Sequence, residues 1–121
     1  METVEGKLDI NLLLDFYGPL LDERHRQTTE MYFGDDMTLS EIAAELGISR
    51  QAVQQSVARA RAELESFEKK LGLCGRFMEA EKKIGEVKRL AGEIKKAAGE
   101  GPVAEMCERF EAAADDLGET V

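Results

Sequence analysis

The spacing of hydrophobic residues along the chain predicts an all-α protein. Apolar positions recur three and four residues apart, which is the repeat of one helix face, and no stretch alternates apolar and polar residues for long enough to form a β-strand. β-branched residues are sparse, and good helix formers dominate. We predict helices over about Leu8–Tyr17, Glu23–Phe33, a short segment between Thr38 and Gly47, Arg50–Leu71, Arg76–Ala98 and Val103–Leu117.

The first two helices are bounded by recognisable breaks. Gly18 and Pro19 end the first helix, and Asp22 can cap the free N–H groups that open the second. The second helix stops near Gly34, and its apolar face is thin. The first helix is predicted to bury one stripe, which consists of Ile10, Leu13, Leu14 and Tyr17.

A tight turn joins the third and fourth predicted helices. The run TLSE at 38–41 is a capping box, in which the Thr38 hydroxyl and the Glu41 carboxylate each accept from the other residue's N–H. Gly47 supplies a left-handed residue that ends the short helix, Ile48 plugs the turn, and Ser49 caps the long helix. The predicted buried face of the short helix consists of Leu39, Ile42, Ala43 and Leu46. The predicted buried face of the long helix consists of Val53, Val57, Ala60, Leu64, Phe67 and Leu71.

This arrangement of two helices around a glycine turn is the signature of a helix-turn-helix. The outer face of its second helix carries side chains that can reach base edges and phosphates in a major groove, and the helix N-terminus can hold a phosphate. The alternative is a module that binds protein or dimerises, with this face simply solvated. The candidate nucleic-acid-binding residues are Ser49, Arg50, Gln51, Gln54, Gln55 and Arg59.

The charge balance weakens the case for tight nucleic-acid binding. The chain has 16 Lys and Arg against 25 Asp and Glu, a formal net charge of −9. Phosphate binding draws most of its affinity from basic residues, so a strongly acidic chain is not attracted to DNA, RNA or anionic lipid at long range. Residues 37–70 are neutral, with 5 acids and 5 bases, and are the least acidic third of the chain.

The C-terminal third predicts two amphipathic helices in succession. Their apolar stripes must be buried on each other, on the first domain or on a second copy of the chain. We therefore divide the chain into a helix-turn-helix domain, 1–72, and a C-terminal helical segment, 73–121, and expect a homodimer. The candidate dimerisation residues lie on the three-heptad seam of the fifth helix and are Phe77, Ile84, Val87, Ala91 and Ile94.

No residue pattern supports catalysis, a metal or a cofactor. His25 is the only histidine, and nothing places a nucleophile or an acid beside it. Cys74 and Cys107 match no zinc or redox spacing and are expected to be reduced thiols. No apolar run reaches the roughly 18 residues of a membrane span, and the chain starts without a secretory signal. We expect a cytoplasmic protein without catalytic residues, metal, cofactor or membrane contact.

The helix-turn-helix residues also carry a family resemblance. The run from Leu21 to Leu64 resembles region 4 of bacterial sigma factors, which reads the −35 promoter element. The longer run 8–73, with its DFYGPLL, YFGDD and SRQAV motifs, resembles the YlxM family of small bacterial proteins. The chain departs from the region 4 pattern at Ala52 and Gln54, where region 4 usually carries more basic residues.

The resemblance implies a sigma-region-4-like fold and a non-enzymatic accessory factor of the signal recognition particle pathway. Its implied partners are protein or RNA components of that particle, or DNA. The implied contacts to bases or backbone are made by Arg50, Gln51, Gln55 and Arg59. The alternative function is a dimeric transcriptional regulator that binds promoter DNA and has no part in protein targeting.

Overall fold

The computed structural model describes residues 9–120, and all of the regular structure among them is helical. The all-α prediction is confirmed, although Leu8, assigned to the first helix, lies outside the described residues. A 3-10 turn, Gly18–Leu20, follows the first helix, and a π-helical turn, Glu30–Gly34, extends the second. The helices are α1 (Ile10–Tyr17), α2 (Glu23–Thr29), α3 (Leu39–Leu46), α4 (Arg50–Leu71), α5 (Leu73–Ala98) and α6 (Pro102–Thr120).

The chain divides into two compact units, Met1–Gly75 and Arg76–Val121. α5 therefore begins in the first unit and continues through the second. None of the helices within residues 9–120 is both long enough and apolar enough to cross a lipid bilayer.

The first unit has two clusters of buried side chains, both built on α4. One packs α1 against α4, and the other packs α3 against α4. The predicted stripe of α1 is buried in the first cluster. Burying a large aliphatic or aromatic side chain contributes about 1.5–3 kcal/mol, so these clusters hold the three helices together. The members with no exposed surface are Leu13, Tyr17, Ala60, Leu64 and Cys74 in the first cluster and Ile42 and Val53 in the second.

The start of α5 differs from the prediction. Gly72 ends α4 in a left-handed conformation with φ 65°, but the next helix resumes at Leu73 rather than at Arg76. The first N–H groups of a helix need acceptors outside that helix, and here two side chains of the first unit supply them. The predicted burial of Leu71 is wrong, since this side chain is 47% exposed. The buried side of α4 is closed at this end by Glu68, which is 3% exposed.

Within the second unit, α5 and α6 run antiparallel, because Lys88 pairs with Asp115 and Lys95 pairs with Glu111. Gly92 of α5 faces α6, and an added Cβ there would lie 3.7 Å from a carboxylate oxygen of Glu111, an ordinary van der Waals contact. The side chains that this unit buries are small, namely Ala91, Ala104, Cys107 and Ala114. The large apolar residues of α6 are exposed in the single chain: Val103, Met106, Phe110 and Leu117.

Candidate nucleic-acid interface

The capping box at the start of α3 is confirmed. The Thr38 hydroxyl accepts from the N–H of Glu41 at 3.1 Å, and the Glu41 carboxylate accepts from the N–H of Thr38 at 2.8 Å. The hydrogen bond from the N–H of Thr38 to this carboxylate, followed by a contribution from the Thr38 hydroxyl, lowers the pKa of Glu41 below its ordinary value of 4.5. The start of α3 is therefore set by contacts within four residues of the chain.

The turn between α3 and α4 has the predicted geometry. Gly47 has φ 68° and ψ 34°, a left-handed conformation that costs a residue with a Cβ roughly 1–2 kcal/mol. The N–H of Ile48 donates to the carbonyl of Ala43 at 3.1 Å, and the Ile48 side chain packs half-buried against the second cluster. Ser49 caps α4, its hydroxyl accepting from the N–H of Ala52 at 3.0 Å. The chain thus contains the predicted helix-turn-helix.

A contact between α2 and α4 fixes the rotation of α4 about its own axis. The hydroxyl groups of Thr28 and Ser56 are 2.7 Å apart, and both residues are buried. The sequence pattern did not predict this pair, because a serine and a threonine at helical spacing resemble ordinary surface positions. With Ser56 held inward, the opposite side of α4 faces solvent.

All six candidate nucleic-acid-binding residues are exposed. Five of them occupy neighbouring positions on one side of the first turns of α4, with Ser49 at its N-terminal cap. The structure therefore brings together the predicted set, which consists of Ser49, Arg50, Gln51, Gln54, Gln55 and Arg59.

The arginines of α4 differ in their partners. The Arg59 guanidinium lies 3.5 Å from the Glu63 carboxylate, one turn along the helix. Arg61 lies 3.8 Å from Glu65 and also 5.9 Å from the centre of the Phe33 ring. Within residues 9–120, no carboxylate comes within 4.0 Å of the guanidinium of Arg50. Exposed ion pairs of this kind contribute about 0.2–1 kcal/mol, so a phosphate can displace the Glu63 carboxylate from Arg59.

A depression of about 620 Å³ lies between α2 and α4, directly beside the exposed face. Gln55 and Arg59 line it from α4, and Arg24 and His25 line it from the first turn of α2. A carboxylate oxygen of Asp22 lies 2.9 Å from Nδ1 of His25. Sequence reasoning missed Arg24 and His25 as site residues, since only the packing of α2 on α4 brings them to this surface.

Comparison with known proteins agrees with this geometry. The sequence model of the UPF0122 family, described as "Putative helix-turn-helix protein, YlxM / p13 like", matches residues 4–99. The chain belongs to the UPF0122 family. The family match covers α1 to α4 and all of α5, and the whole of α6 lies beyond it. The predicted membership of the YlxM family is confirmed.

Several relatives carry the UPF0122 name. A UPF0122 protein of Desulforamulus reducens is 44% identical over 81 residues, which cover 67% of this chain and 69% of the relative. One from Thermoanaerobacter sp. (strain X514) is 45% identical over 82 residues, 68% of this chain and 70% of the relative. One from Bacillus cereus (strain AH187) is 40% identical over 87 residues, 72% of this chain and 79% of the relative.

The residues predicted to mediate dimerisation do not share one environment in this UPF0122 protein. Phe77 and Ile84 are half-buried, and Ala91 is only 6% exposed. Val87 and Ile94 are exposed, together with Leu90, which the seam did not include. Three residues of the predicted seam, Val87, Ala91 and Ile94, therefore share one apolar surface with Leu90.

The two cysteines are free, and both are buried. Burial raises the pKa of the Cys74 thiol to about 12, and the neighbouring charge of Glu68 contributes to the shift. Among residues 9–120, no group of three or more His, Cys, Asp and Glu side chains is placed to hold a metal ion.

Proposed function

We propose that this protein binds duplex DNA through the exposed face of α4 and acts as a non-enzymatic regulator. The observation that carries the proposal is the left-handed turn at Gly47, which ends α3 and lets Ser49 start α4 with a polar, exposed first turn. An α-helix presented in this way fits the major groove of B-DNA.

The side chains on this face have the chemistry of direct base readout. Arg50 can donate two hydrogen bonds to a guanine, and Gln51 or Gln54 can pair with an adenine, each worth about 1–3 kcal/mol of discrimination against the wrong base. Arg59 and Arg24 lie on the two sides of the depression between α2 and α4 and can bind phosphates of the DNA backbone.

The small number of basic residues sets the expected affinity. If Arg24, Arg50 and Arg59 neutralise one phosphate each, the logarithm of the binding constant falls with the logarithm of salt concentration at a slope of about −2.7 per chain. Binding should therefore be weak above physiological salt. A homodimer would bring two α4 helices to one duplex and double the number of neutralised phosphates, and with it the slope.

The test is fluorescence anisotropy with labelled duplexes, first a randomised pool at low salt and then the sequences that selection from this pool enriches. Arg50→Ala and Gln51→Ala should weaken binding to the selected duplex. Lys69→Ala removes the same charge as Arg50→Ala from the exposed last turn of α4 and should leave binding unchanged. Unchanged binding in both Arg50→Ala and Gln51→Ala would refute the proposal.

The second candidate is an accessory role in the signal recognition particle pathway, in which the protein contacts a component of the particle. The pairing of Arg59 with Glu63 and of Arg61 with Glu65 favours a protein partner, because it lowers the positive potential that a nucleic acid requires. Both candidates place the protein in the cytoplasm. A pull-down from native cytosol, repeated at low salt, tests this role, and recovery of no particle component would contradict it.

A further inference from the structure

An exposed apolar groove runs between α5 and α6 in the second unit. Its volume is about 420 Å³, and every residue that lines it is apolar. Its floor contains Ala91 and Cys107, which are 6% and 8% exposed. Its walls are large side chains between 38% and 63% exposed, namely Val87, Leu90, Ile94, Val103, Met106 and Phe110.

α5 and α6 together leave this apolar groove exposed to solvent. In the second unit the buried side chains are small, and large apolar side chains of both α5 and α6 line the open groove. Contiguous apolar patches of this kind are uncommon on monomeric proteins and mark interaction surfaces. The wall residues follow spacings of three and four on each helix, which is the pattern that a helical bundle buries.

The charges of the two helices indicate what covers the groove. α5 carries seven basic and four acidic residues, a net charge of +3, whereas α6 carries one basic and six acidic residues, a net charge of −5. Two hairpins can pair so that each α5 lies beside its own α6 and beside the α6 of the partner. Every neighbouring pair of helices then has opposite charge, whereas contact of α6 with a second α6 would bring two acidic helices together.

We propose that a second copy of this chain covers the groove, and that the two hairpins form a four-helix bundle with α5 of each copy against α6 of the other. The interface is isologous, because the same groove contributes from both copies. If neighbouring helices are antiparallel, the twofold axis runs along the bundle, and both copies of α5 enter the bundle at the same end. This arrangement does not depend on the proposed DNA binding, because it can be measured without nucleic acid.

The first test is the mass of the full chain by light scattering. We expect twice the chain mass of 13.4 kDa. Leu90→Asp should raise the dissociation constant of the dimer by about 30-fold or more, as for a residue at the centre of an interface. Leu71→Asp is the matched control, since Leu71 is 47% exposed, Leu90 is 51% exposed, and Leu71 does not line the groove. A retained helical circular dichroism signal shows that each variant is folded.

The second test identifies which helices meet. Chains with Leu90→Cys and differently tagged chains with Met106→Cys are mixed and mildly oxidised. We expect a disulfide between the two different variants in preference to either variant with itself. Wild-type chains should form no such link, because Cys74 and Cys107 are buried. The proposal would be overturned by a monomeric mass of the wild-type chain at all concentrations. It would also be overturned if Leu71→Asp lowered the mass as much as Leu90→Asp, or if Leu90→Cys chains linked mainly to each other.

Discussion

Removal of the Glu68 carboxylate should strongly destabilise the first unit. Glu68 accepts from the Tyr17 hydroxyl at 2.6 Å and from the N–H groups of Cys74 and Gly75, both at 3.0 Å. The Tyr17 hydroxyl in turn accepts from the N–H of Leu73 at 3.0 Å. This network joins α1, α4 and the first turn of α5.

The magnitude follows from the donors left behind. Glu68→Ala leaves two buried donors and one partly buried donor, the N–H of Gly75, without an acceptor, and each costs about 1–3 kcal/mol before water enters the space. We therefore expect a loss of about 3–5 kcal/mol, a large part of the 5–15 kcal/mol typical of a small domain. Tyr17→Phe removes one donor to Glu68 and the acceptor of Leu73, and it should cost about 1–3 kcal/mol.

The network also predicts a pH dependence. Burial acts to raise the pKa of Glu68, but the hydrogen bonds from Tyr17, Cys74 and Gly75 together hold this pKa below its ordinary value of 4.5. A carboxyl group with a lowered folded-state pKa adds stability above its unfolded-state pKa, and this stability is lost as the pH falls through the folded-state value. Glu68→Gln should remove this part of the acid dependence, because an amide does not titrate.

Tyrosine fluorescence during urea unfolding is the suitable assay. The chain has no Trp, and its two tyrosines, Tyr17 and Tyr32, both belong to the first unit. Glu65→Gln, at a more exposed carboxylate on α4 paired with Arg61, is the control and should cost less than about 1 kcal/mol. A loss below about 1 kcal/mol for Glu68→Ala would refute the reasoning, since it would mean that the three donors find other acceptors at little cost.

Three further predictions concern the helix-turn-helix and the buried thiol. Gly47→Ala should lower the free energy of unfolding by about 1–2 kcal/mol through its φ of 68° alone, because an added Cβ would meet nothing within 4 Å. Gly34→Ala is the control, since Gly34 is equally open but has no positive φ. Equal losses of stability in urea unfolding would contradict this reason. Thr38→Ala should cost about 0.5–2 kcal/mol by removing the cap of α3, measured in the same way, and a neutral effect would show that water replaces the cap. The Cys74 thiol, with its pKa raised to about 12, should not react with iodoacetamide at mildly alkaline pH while the chain is folded, and it should react after unfolding. Mass spectrometry follows the labelling. Rapid labelling of the folded chain would contradict the burial of Cys74 beside Glu68.

The parts of the site that sequence reasoning predicted correctly depend on contacts between near neighbours. The capping box, the left-handed Gly47 and the Ser49 cap each involve residues no more than five positions apart, so their chemistry can be read directly from the sequence. The bounds of α4 follow from the same local signals and match the structure. The exposure of the α4 face then follows from helical periodicity.

The parts that were missed or wrong depend on residues far apart in the chain. Arg24 and His25 reach the candidate interface because Thr28 packs on Ser56, 28 positions later. The Tyr17 hydroxyl binds the Glu68 carboxylate 51 positions away, and no local pattern marks that carboxylate as buried. The periodicity of the sequence shows which positions of a helix are apolar, but it does not show which distant side chains these positions contact.

The amino-acid sequence by itself determined the helices, the turn and the helix-turn-helix module, because hydrogen bonds between near neighbours and the preference of Gly47 for a left-handed backbone are local. Only the tertiary structure decided where α5 begins and which side of α6 is buried. Acceptors from Tyr17 and Glu68 allow α5 to start at Leu73. In the second unit the buried side chains are small, and the large apolar ones of α6 stay exposed. These outcomes depend on how helices pack, and packing is a property of pairs of surfaces rather than of one stretch of sequence.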